Sequence, residues 1–459
     1  MQEQALPRPG AQNHPAQRLL EAGRLPTDGR EQWAFVAPEF YGKFKRLRSQ
    51  VPELLTPVTQ PGIIPAPQRK DYFFDGAIGS YQSPDLATEY IFVTARRGGR
   101  VIYAFDVSSP AAPKFLWKKN ETDLPEAPLG QSWSEPKAFK VKALSDPVVM
   151  FGAGYDPAQD SSPAGATTMG AGVYVLNAKT GELVKFFQTS QNSANIIDPV
   201  PSDVAVIDRD FDTFADRAYV GDLGGNVWRM DIDDVDPANW KLYRFATLGT
   251  RKFFFRPDVV VSKDYDLVVI GSGNREDPLN ATSTDRFYML KDKKTIKDAS
   301  GMIAITTADL VTGGSAQSAL DAALGWYINL APGEKVVNAP LSIAGITFFS
   351  TNKPTPPAPG VCSPNLGEAR AYAIDFLTGG AGVDRNGDGT KDSSDLSVKL
   401  TGGGLPPSPV GGVVQLDNGK LVDFVIGSGA GGSPLAPEKP PRTIPKVRKK
   451  LYWNSNTDK

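Results

Sequence analysis

Short apolar runs recur along the chain. Each is followed by a glycine-containing turn and a second run that carries an aromatic residue. Tyr90-Ile91-Phe92-Val93 leads through Gly98-Gly99 into Val101-Ile102-Tyr103, and Val148-Val149-Met150-Phe151 leads through Gly152-Ala153-Gly154 to Gly172-Val173-Tyr174-Val175. Ala218-Tyr219-Val220-Gly221 leads through Gly224-Gly225-Asn226 into Val227-Trp228, and Leu267-Val268-Val269-Ile270 through Gly271-Ser272-Gly273 to Phe287-Tyr288-Met289. A fifth copy is Ile346-Thr347-Phe348-Phe349 with Ala371-Tyr372-Ala373-Ile374, and the last is Val422-Asp423-Phe424-Val425-Ile426 before Gly427-Ser428-Gly429. The runs are rich in β-branched and aromatic residues and bounded by Gly, Pro and Asn, which is the pattern of strands. Repetition of such units predicts radially arranged sheets, because each blade of a propeller hides its faces against its neighbours. The expectation is an all-β chain, a β-propeller of about six or seven blades. The seventh, an incomplete first blade, is read around Trp33-Ala34-Phe35-Val36.

Two copies end in the same turn, Leu176-Asn177-Ala178-Lys179-Thr180-Gly181 and Ile374-Asp375-Phe376-Leu377-Thr378-Gly379, where the glycine suits a position of positive φ. Such turns also occur in quinoprotein propellers, but a turn does not make a cofactor site, and its reading here is structural. Two short helices are expected, over residues 38–50 and 316–324, the second from its good helix formers. The longer polar insertions 156–170 and 277–285 are expected on one face of the disk.

Composition narrows the chemistry. The 459 residues include 45 Gly and 39 Pro, a turn-rich composition that agrees with many short strands. Lys plus Arg (50) nearly cancels Asp plus Glu (51), so no general basic field draws the chain to nucleic acid. The single Cys, Cys362, excludes an internal disulfide framework and a Cys-based zinc site, and the single His, His14, lies in a polar Pro-rich leader, against a His-based metal centre or a Ser-His-Asp triad. No apolar run is long enough for a transmembrane helix, and the first 30 residues lack the apolar stretch of a secretory leader. The chain divides into an unmatched leader, residues 1–27, expected to be disordered, a propeller, residues 28–433, and a Pro-rich basic tail, residues 434–459.

Two loops carry candidate metal ligands. In the first, Asp208, Asp210, Asp212 and Asp216 fall at loop positions 1, 3, 5 and 9, with the carbonyl of Phe214 at position 7. Calcium takes six to eight oxygen ligands, and acids alternating on a tight loop converge on one ion. Position 6 is Thr213 where such loops favour Gly, so the sharp turn costs about 1 kcal/mol or takes another shape. The second loop has Asp384, Asn386, Asp388, Thr390, Asp392 and Asp395 at positions 1, 3, 5, 7, 9 and 12, with Gly389 at position 6. It is closer to an EF-hand loop, although its last ligand is Asp rather than Glu. Calcium is the ion expected at both, against the alternative of solvated acidic turns.

The strings Phe151-Gly152-Ala153-Gly154-Tyr155-Asp156, residues 219–231 (Tyr-Val-Gly-Asp-Leu-Gly-Gly-Asn-Val-Trp-Arg-Met-Asp) and Gly271-Ser272-Gly273-Asn274-Arg275-Glu276 resemble the PilC/PilY family of type IV pilus tip-associated assembly and adhesion factors. Asp28-Gly29-Arg30-Glu31-Gln32, Ala104-Phe105-Asp106-Val107, Gly325-Trp326-Tyr327 and Gly333-Glu334-Lys335-Val336-Val337-Asn338 also fit, in the family's order, over about residues 28–459. The resemblance implies the family's C-terminal propeller domain. It also implies a calcium loop immediately before the strand of Ala218, onto which Asp208, Asp210, Asp212 and Asp216 map position by position. The Asp384 loop rests on its own spacing.

The function so implied is a non-enzymatic factor in pilus biogenesis, adhesion and twitching motility. It would be exported and act at the pilus tip, the outer membrane surface or in the periplasm, with calcium regulating extension against retraction. The partners implied are minor pilins, the pilus tip complex and a host-cell surface receptor. Family members carry an export signal and a large N-terminal region. Neither is read here, so the chain is expected to be N-terminally incomplete. Two alternatives stay open: a quinoprotein-type propeller dehydrogenase, and a dockerin-like scaffold module resting on the Asp384 loop alone.

Overall fold

The computed structural model describes residues 31, 33–55, 62–124, 128–161, 164–192, 194–295, 299–355, 366–415 and 421–438. His14, Cys362, the leader 1–27 and residues 439–459 of the tail lie outside them.

Among the described residues six sheets follow one another along the chain. The first is an antiparallel meander of Ile78–Gln82, Glu89–Thr94, Val101–Asp106 and Lys114–Asn120. The second repeats it with Lys137–Phe139, Val148–Gly152, Val173–Asn177 and Leu183–Phe187. The third uses Ala205–Ile207, Arg217–Gly221, Asn226–Asp231 and Lys241–Thr247, with Ile305–Thr306 added in parallel at its outer edge. The fourth uses Asp258–Val260, Asp266–Gly271, Arg286–Asp292 and Gly325–Asn329, with Val311–Thr312 added in the same way. In the fifth, Leu341–Ile343 and Lys335–Val336 both pair with Ile346–Lys353, which is followed by Glu368–Asp375 and Ser397–Lys399. The sixth comprises Val410–Gln415, Leu421–Ile426 and Pro437–Glu438, so it runs on past residue 433. In each of the first three sheets the register shifts between the third strand and the outermost one, at Ala104/Phe105, Val175/Leu176 and Val227/Trp228. A bulge in the same strand pair of successive sheets is a mark of one repeated unit.

The core lies between sheets. Val148, Met150, Val173 and Val175 of the second pack against Ala218, Val220, Trp228 and Met230 of the third. Equivalent clusters join first to second, third to fourth, fourth to fifth and fifth to sixth. Sheets that bury both faces against sequence neighbours form a propeller. The predicted helices are present as a 3₁₀ turn Pro38–Phe40 running into the helix Tyr41–Ser49, and as Gln317–Ala322.

The partial blade expected around Trp33-Ala34-Phe35-Val36 is not a strand. Pro38 turns the chain into the 3₁₀ segment directly after it. Trp33, Phe35 and Phe40 instead pack with Phe73, Phe74, Tyr103 and Phe105 on the first sheet.

The two Thr-Gly turns receive a tryptophan from the preceding sheet. Trp117 Nε1 donates to the Ala178 carbonyl at 2.9 Å, and Trp326 Nε1 donates to the Phe376 carbonyl at 3.1 Å. Gly181 and Gly379 take φ of 73° and 70°, and a Cβ on either would stand 2.7–2.8 Å from the nearest atoms of its tryptophan. Glycine is required at both positions twice over, by conformation and by the approach of the indole.

A meander has two ends. Turns from first to second and from third to fourth strand lie at one end, which we call the lower face. Turns from second to third strand, and crossings to the next sheet, lie at the upper face. The polar insertions 156–170 and 277–285 both join second to third strands, on the upper face as expected. Both acidic loops are on the lower face: residues 208–216 join first to second strand of the third sheet, and residues 384–395 join third to fourth strand of the fifth.

Candidate metal centre

The two acidic loops share one backbone scaffold. In the first, the carboxylate of Asp208 accepts from Asp212 N at 3.2 Å and Thr213 N at 2.8 Å. Asp210 accepts from Asp212 N at 3.1 Å, and Asp212 from Phe214 N at 2.9 Å. Asp216 closes the loop by accepting from Arg209 N at 2.6 Å and Asp210 N at 3.3 Å. In the second loop Asp384 accepts from Gly387 N and Gly389 N, Asn386 from Asp388 N, and Asp388 from Thr390 N. Asp395 closes it on Arg385 N and Asn386 N, as Asp216 closes the first. Positions 4 and 6 are left-handed in both: Phe211 and Thr213 have φ of 62° and 79°, Gly387 and Gly389 of 75° and 86°. Thr213 therefore adopts the turn that glycine makes at low cost in the second loop.

The loops differ in what they gather. Oxygens of Asp208, Asp210 and Asp216 lie within 4.8 Å of one another, the one such group of three acids among the described residues. Oδ1 of Asp216 is buried without a hydrogen-bond partner, and burial raises this carboxyl above its ordinary range. Desolvation disfavours its charge, so a bound cation would restore what burial removes. In the second loop the buried Asp395 has its oxygens taken by backbone N–H groups, and Asp392 accepts from Ser394 N at 2.7 Å as the cap of the 3₁₀ segment Ser393–Asp395. The first loop thus fits a hard, oxygen-seeking cation, and the second offers the same fold of chain with fewer converging acids.

Asp212 is turned aside. Its Oδ2 lies 2.8 Å from Nζ of Lys142, which is also 2.6 Å from Asp233 and about 4 Å from Asp210 and Asp216, at 3.9 and 4.0 Å. Hydrogen bonding to Lys142 holds Asp212 below the usual carboxylate range, and Asp212 with Asp233 raises Lys142. Four acids on nine residues repel one another, and here a protein ammonium supplies part of the opposing charge.

Sequence reasoning did not single out Lys142 or Asp233. Lys142 follows the first strand of the second sheet and Asp233 follows the third strand of the third sheet, so both lie on the lower face. Only the repeat itself, which puts corresponding turns of adjacent blades side by side, could have pointed to them.

The loop is also tied to the next blade. Arg209 Nε lies 3.2 Å from both oxygens of Asp266 in the fourth sheet, and its Nη2 donates to the Ser262 carbonyl. Asp266 receives Arg217 at 2.9 Å, Arg217 reaches Asp231 at 3.1 Å, and Arg229 joins Asp231 to Asp292 at 2.8 and 2.7 Å. Apart from Arg209 these groups are almost fully buried. Such a network is costly to desolvate and costly to break.

Among the described residues no helix is long and apolar enough to cross a membrane. The sequence model of the PilY1 β-propeller domain matches residues 30–246. A type IV pilus biogenesis factor PilY1 homolog of Xylella fastidiosa is 24% identical over 395 residues, covering 74% of this chain and 25% of the relative. The type IV pilus biogenesis factor PilY1 of Pseudomonas aeruginosa is 26% identical over 308 residues, covering 58% of this chain and 24% of the relative. The chain thus spans about a quarter of the length of these curated relatives. The crystal structure of the Pseudomonas aeruginosa PilY1 C-terminal domain superimposes with a TM-score of 0.60 at 18% identity, covering 87% of each chain.

Proposed function

Because this chain belongs to the PilC/PilY family of type IV pilus factors, we propose that it is a calcium-binding, non-enzymatic module of pilus biogenesis and adhesion. It works at the pilus tip or cell surface against minor pilins. The observation that carries the calcium part is the convergence of Asp208, Asp210 and Asp216, with the buried Oδ1 of Asp216 accepting no hydrogen bond. Asp208, Asp210, Asp212 and Asp216 with the Phe214 carbonyl hold the first ion. The loop of Asp384, Asn386, Asp388, Thr390, Asp392 and Asp395 is a weaker second site.

Calcium supplies charge neutralisation to the loop. The chain does the rest. With its acids neutralised, the loop fixes Arg209 against Asp266 and so orders the lower face where third and fourth sheets meet. A partner that recognises the ordered loop binds in proportion to its occupancy. Calcium thereby grades assembly with pilins, and through it extension against retraction and adhesion to a host surface.

The experiment is a pull-down of the minor pilins with wild type and Asp208→Ala, each with calcium and with chelator. The reading expects capture that calcium strengthens in wild type and leaves unchanged in the variant. Equal capture by both proteins in both conditions contradicts it.

A further inference from the structure

The upper face carries a feature that the calcium reading does not use. Second-to-third-strand turns and blade crossings of four consecutive sheets meet there. They bring together Trp133, Tyr155, Leu223 and Phe254, with Phe255 against them. Tyr155 and Arg275 belong to the glycine-rich strings noted in the sequence, and Arg96 and Arg97 follow the second strand of the first sheet.

Three guanidinium groups surround one indole. The Cζ atoms of Arg96, Arg97 and Arg275 stand 5.1, 5.3 and 5.9 Å from the ring centroid of Trp133, and Arg275 is also 5.4 Å from the ring of Phe255. Arg97 is satisfied by a two-pronged pair with Asp160, both distances 2.9 Å. Arg96 and Arg275 are not. Among the described residues neither side chain donates a hydrogen bond or pairs with a carboxylate, and Nε of Arg96 is buried without a partner. Asp203 and Asp75 act on Arg96 only through space, and Asp203 alone of the two acts on Arg275. Burial, followed by the charge of Arg96, pushes Arg275 down to about 10. It remains a cation at neutral pH, held in partly desolvated surroundings beside like charges.

The backbone is committed to this arrangement. Arg96 has φ of 48°, in the left-handed region that a bulky residue rarely adopts. Its N–H donates to the Ser132 carbonyl, and the neighbouring Ala95 N–H donates to the Ser132 hydroxyl, so the loop that carries Trp133 fixes the loop that carries Arg96. Strain held in place by its surroundings concentrates at binding sites.

We propose that Arg96 and Arg275, both held over the Trp133 indole on the upper face, form an oxyanion-binding site that takes a carboxylate of an acidic protein segment. A guanidinium over a ring face keeps its N–H edge for a second partner, and that edge matches a planar carboxylate with two parallel hydrogen bonds. Trp133 is buried beneath the guanidinium groups and braces them, while the partly exposed ring of Phe255 offers apolar contact to the rest of a peptide, which an inorganic anion leaves unused. The site is at the opposite end of the propeller from the acidic loops, so it works with or without an ion there.

The test titrates the full chain in chelator with hexaglutamate, hexaglutamine and inorganic phosphate. Hexaglutamate should bind, more weakly as salt rises, and hexaglutamine should not. Arg275→Gln and Arg96→Gln should each weaken hexaglutamate at least tenfold. Lys179→Gln, which removes the same charge from an exposed turn on the lower face, should leave it within twofold. Arg275→Lys, which keeps the charge and loses the fork, should fall between. Circular dichroism should show both Arg→Gln variants folded, so that the loss of binding is read on intact protein. Three results overturn the proposal: no binding of hexaglutamate by wild type, binding of phosphate alone, or equal hexaglutamate binding by wild type and both Arg→Gln variants.

Discussion

Nζ of Lys142 lies 2.8 Å from Oδ2 of Asp212, so a side chain of the second sheet places its charge inside the acidic loop of the third. The loop is therefore partly neutralised by the protein itself. A calcium ion that uses Asp212 as a ligand has to compete with that ammonium. Lys142→Met should tighten calcium binding while lowering the stability of the ion-free protein. At this exposure both effects are small and weaken as salt rises. Calcium titration and thermal melting in chelator check the two halves of this prediction, and an unchanged affinity would show that Lys142 and the ion do not compete.

Thr213 makes with φ of 79° the turn that Gly389 makes in the second loop. A left-handed residue with a Cβ costs roughly 1–2 kcal/mol, and glycine gives back about 0.5–1 kcal/mol through its freer unfolded chain. Thr213→Gly should thus be neutral to mildly stabilising, by up to about 1.5 kcal/mol, in urea unfolding without calcium. Destabilisation would mean that the side chain makes an interaction outweighing the strain.

Arg217 touches Asp231 and Asp266 in the buried network that joins third and fourth sheets. Arg217→Met leaves buried carboxylates short of a cation and should cost about 3–5 kcal/mol, seen as a lower urea midpoint. Loss of less than about 1 kcal/mol would show that the remaining partners close the gap.

Gly181 and Gly379 face the indoles of Trp117 and Trp326. A branched residue at either site meets positive φ and an indole at once. Gly181→Val and Gly379→Val should each destabilise by more than about 2 kcal/mol, whereas Gly62→Val, at positive φ with nothing within 4 Å of its Cβ position, should cost less. Thermal melting of the three variants orders them.

The sequence showed most clearly what is local. Strands were legible because Val, Ile and aromatic residues alternate with glycine turns within a few positions, and both acidic loops because their acids lie within 12 residues. The helices after Pro38 and Ala316 were legible for the same reason. Trp33-Ala34-Phe35-Val36 misled because apolar residues that cover a sheet and residues that form one look alike over four positions. Lys142, Asp233 and Arg209 were hidden because their partners lie in other turns or the next blade. The Trp133 cluster was hidden too, although Tyr155 and Arg275 stood in strings already noted, because what assembles it is the crossing of four blades at one end of the disk.

The most direct test of the calcium reading is isothermal titration with calcium of wild type, Asp208→Ala and Asp384→Ala, all shown to be folded by circular dichroism. The account predicts two ions for wild type and one for each variant, with the tighter site lost in Asp208→Ala. A wild type that takes up no calcium, or an Asp208→Ala protein with the stoichiometry and affinity of wild type, would contradict it.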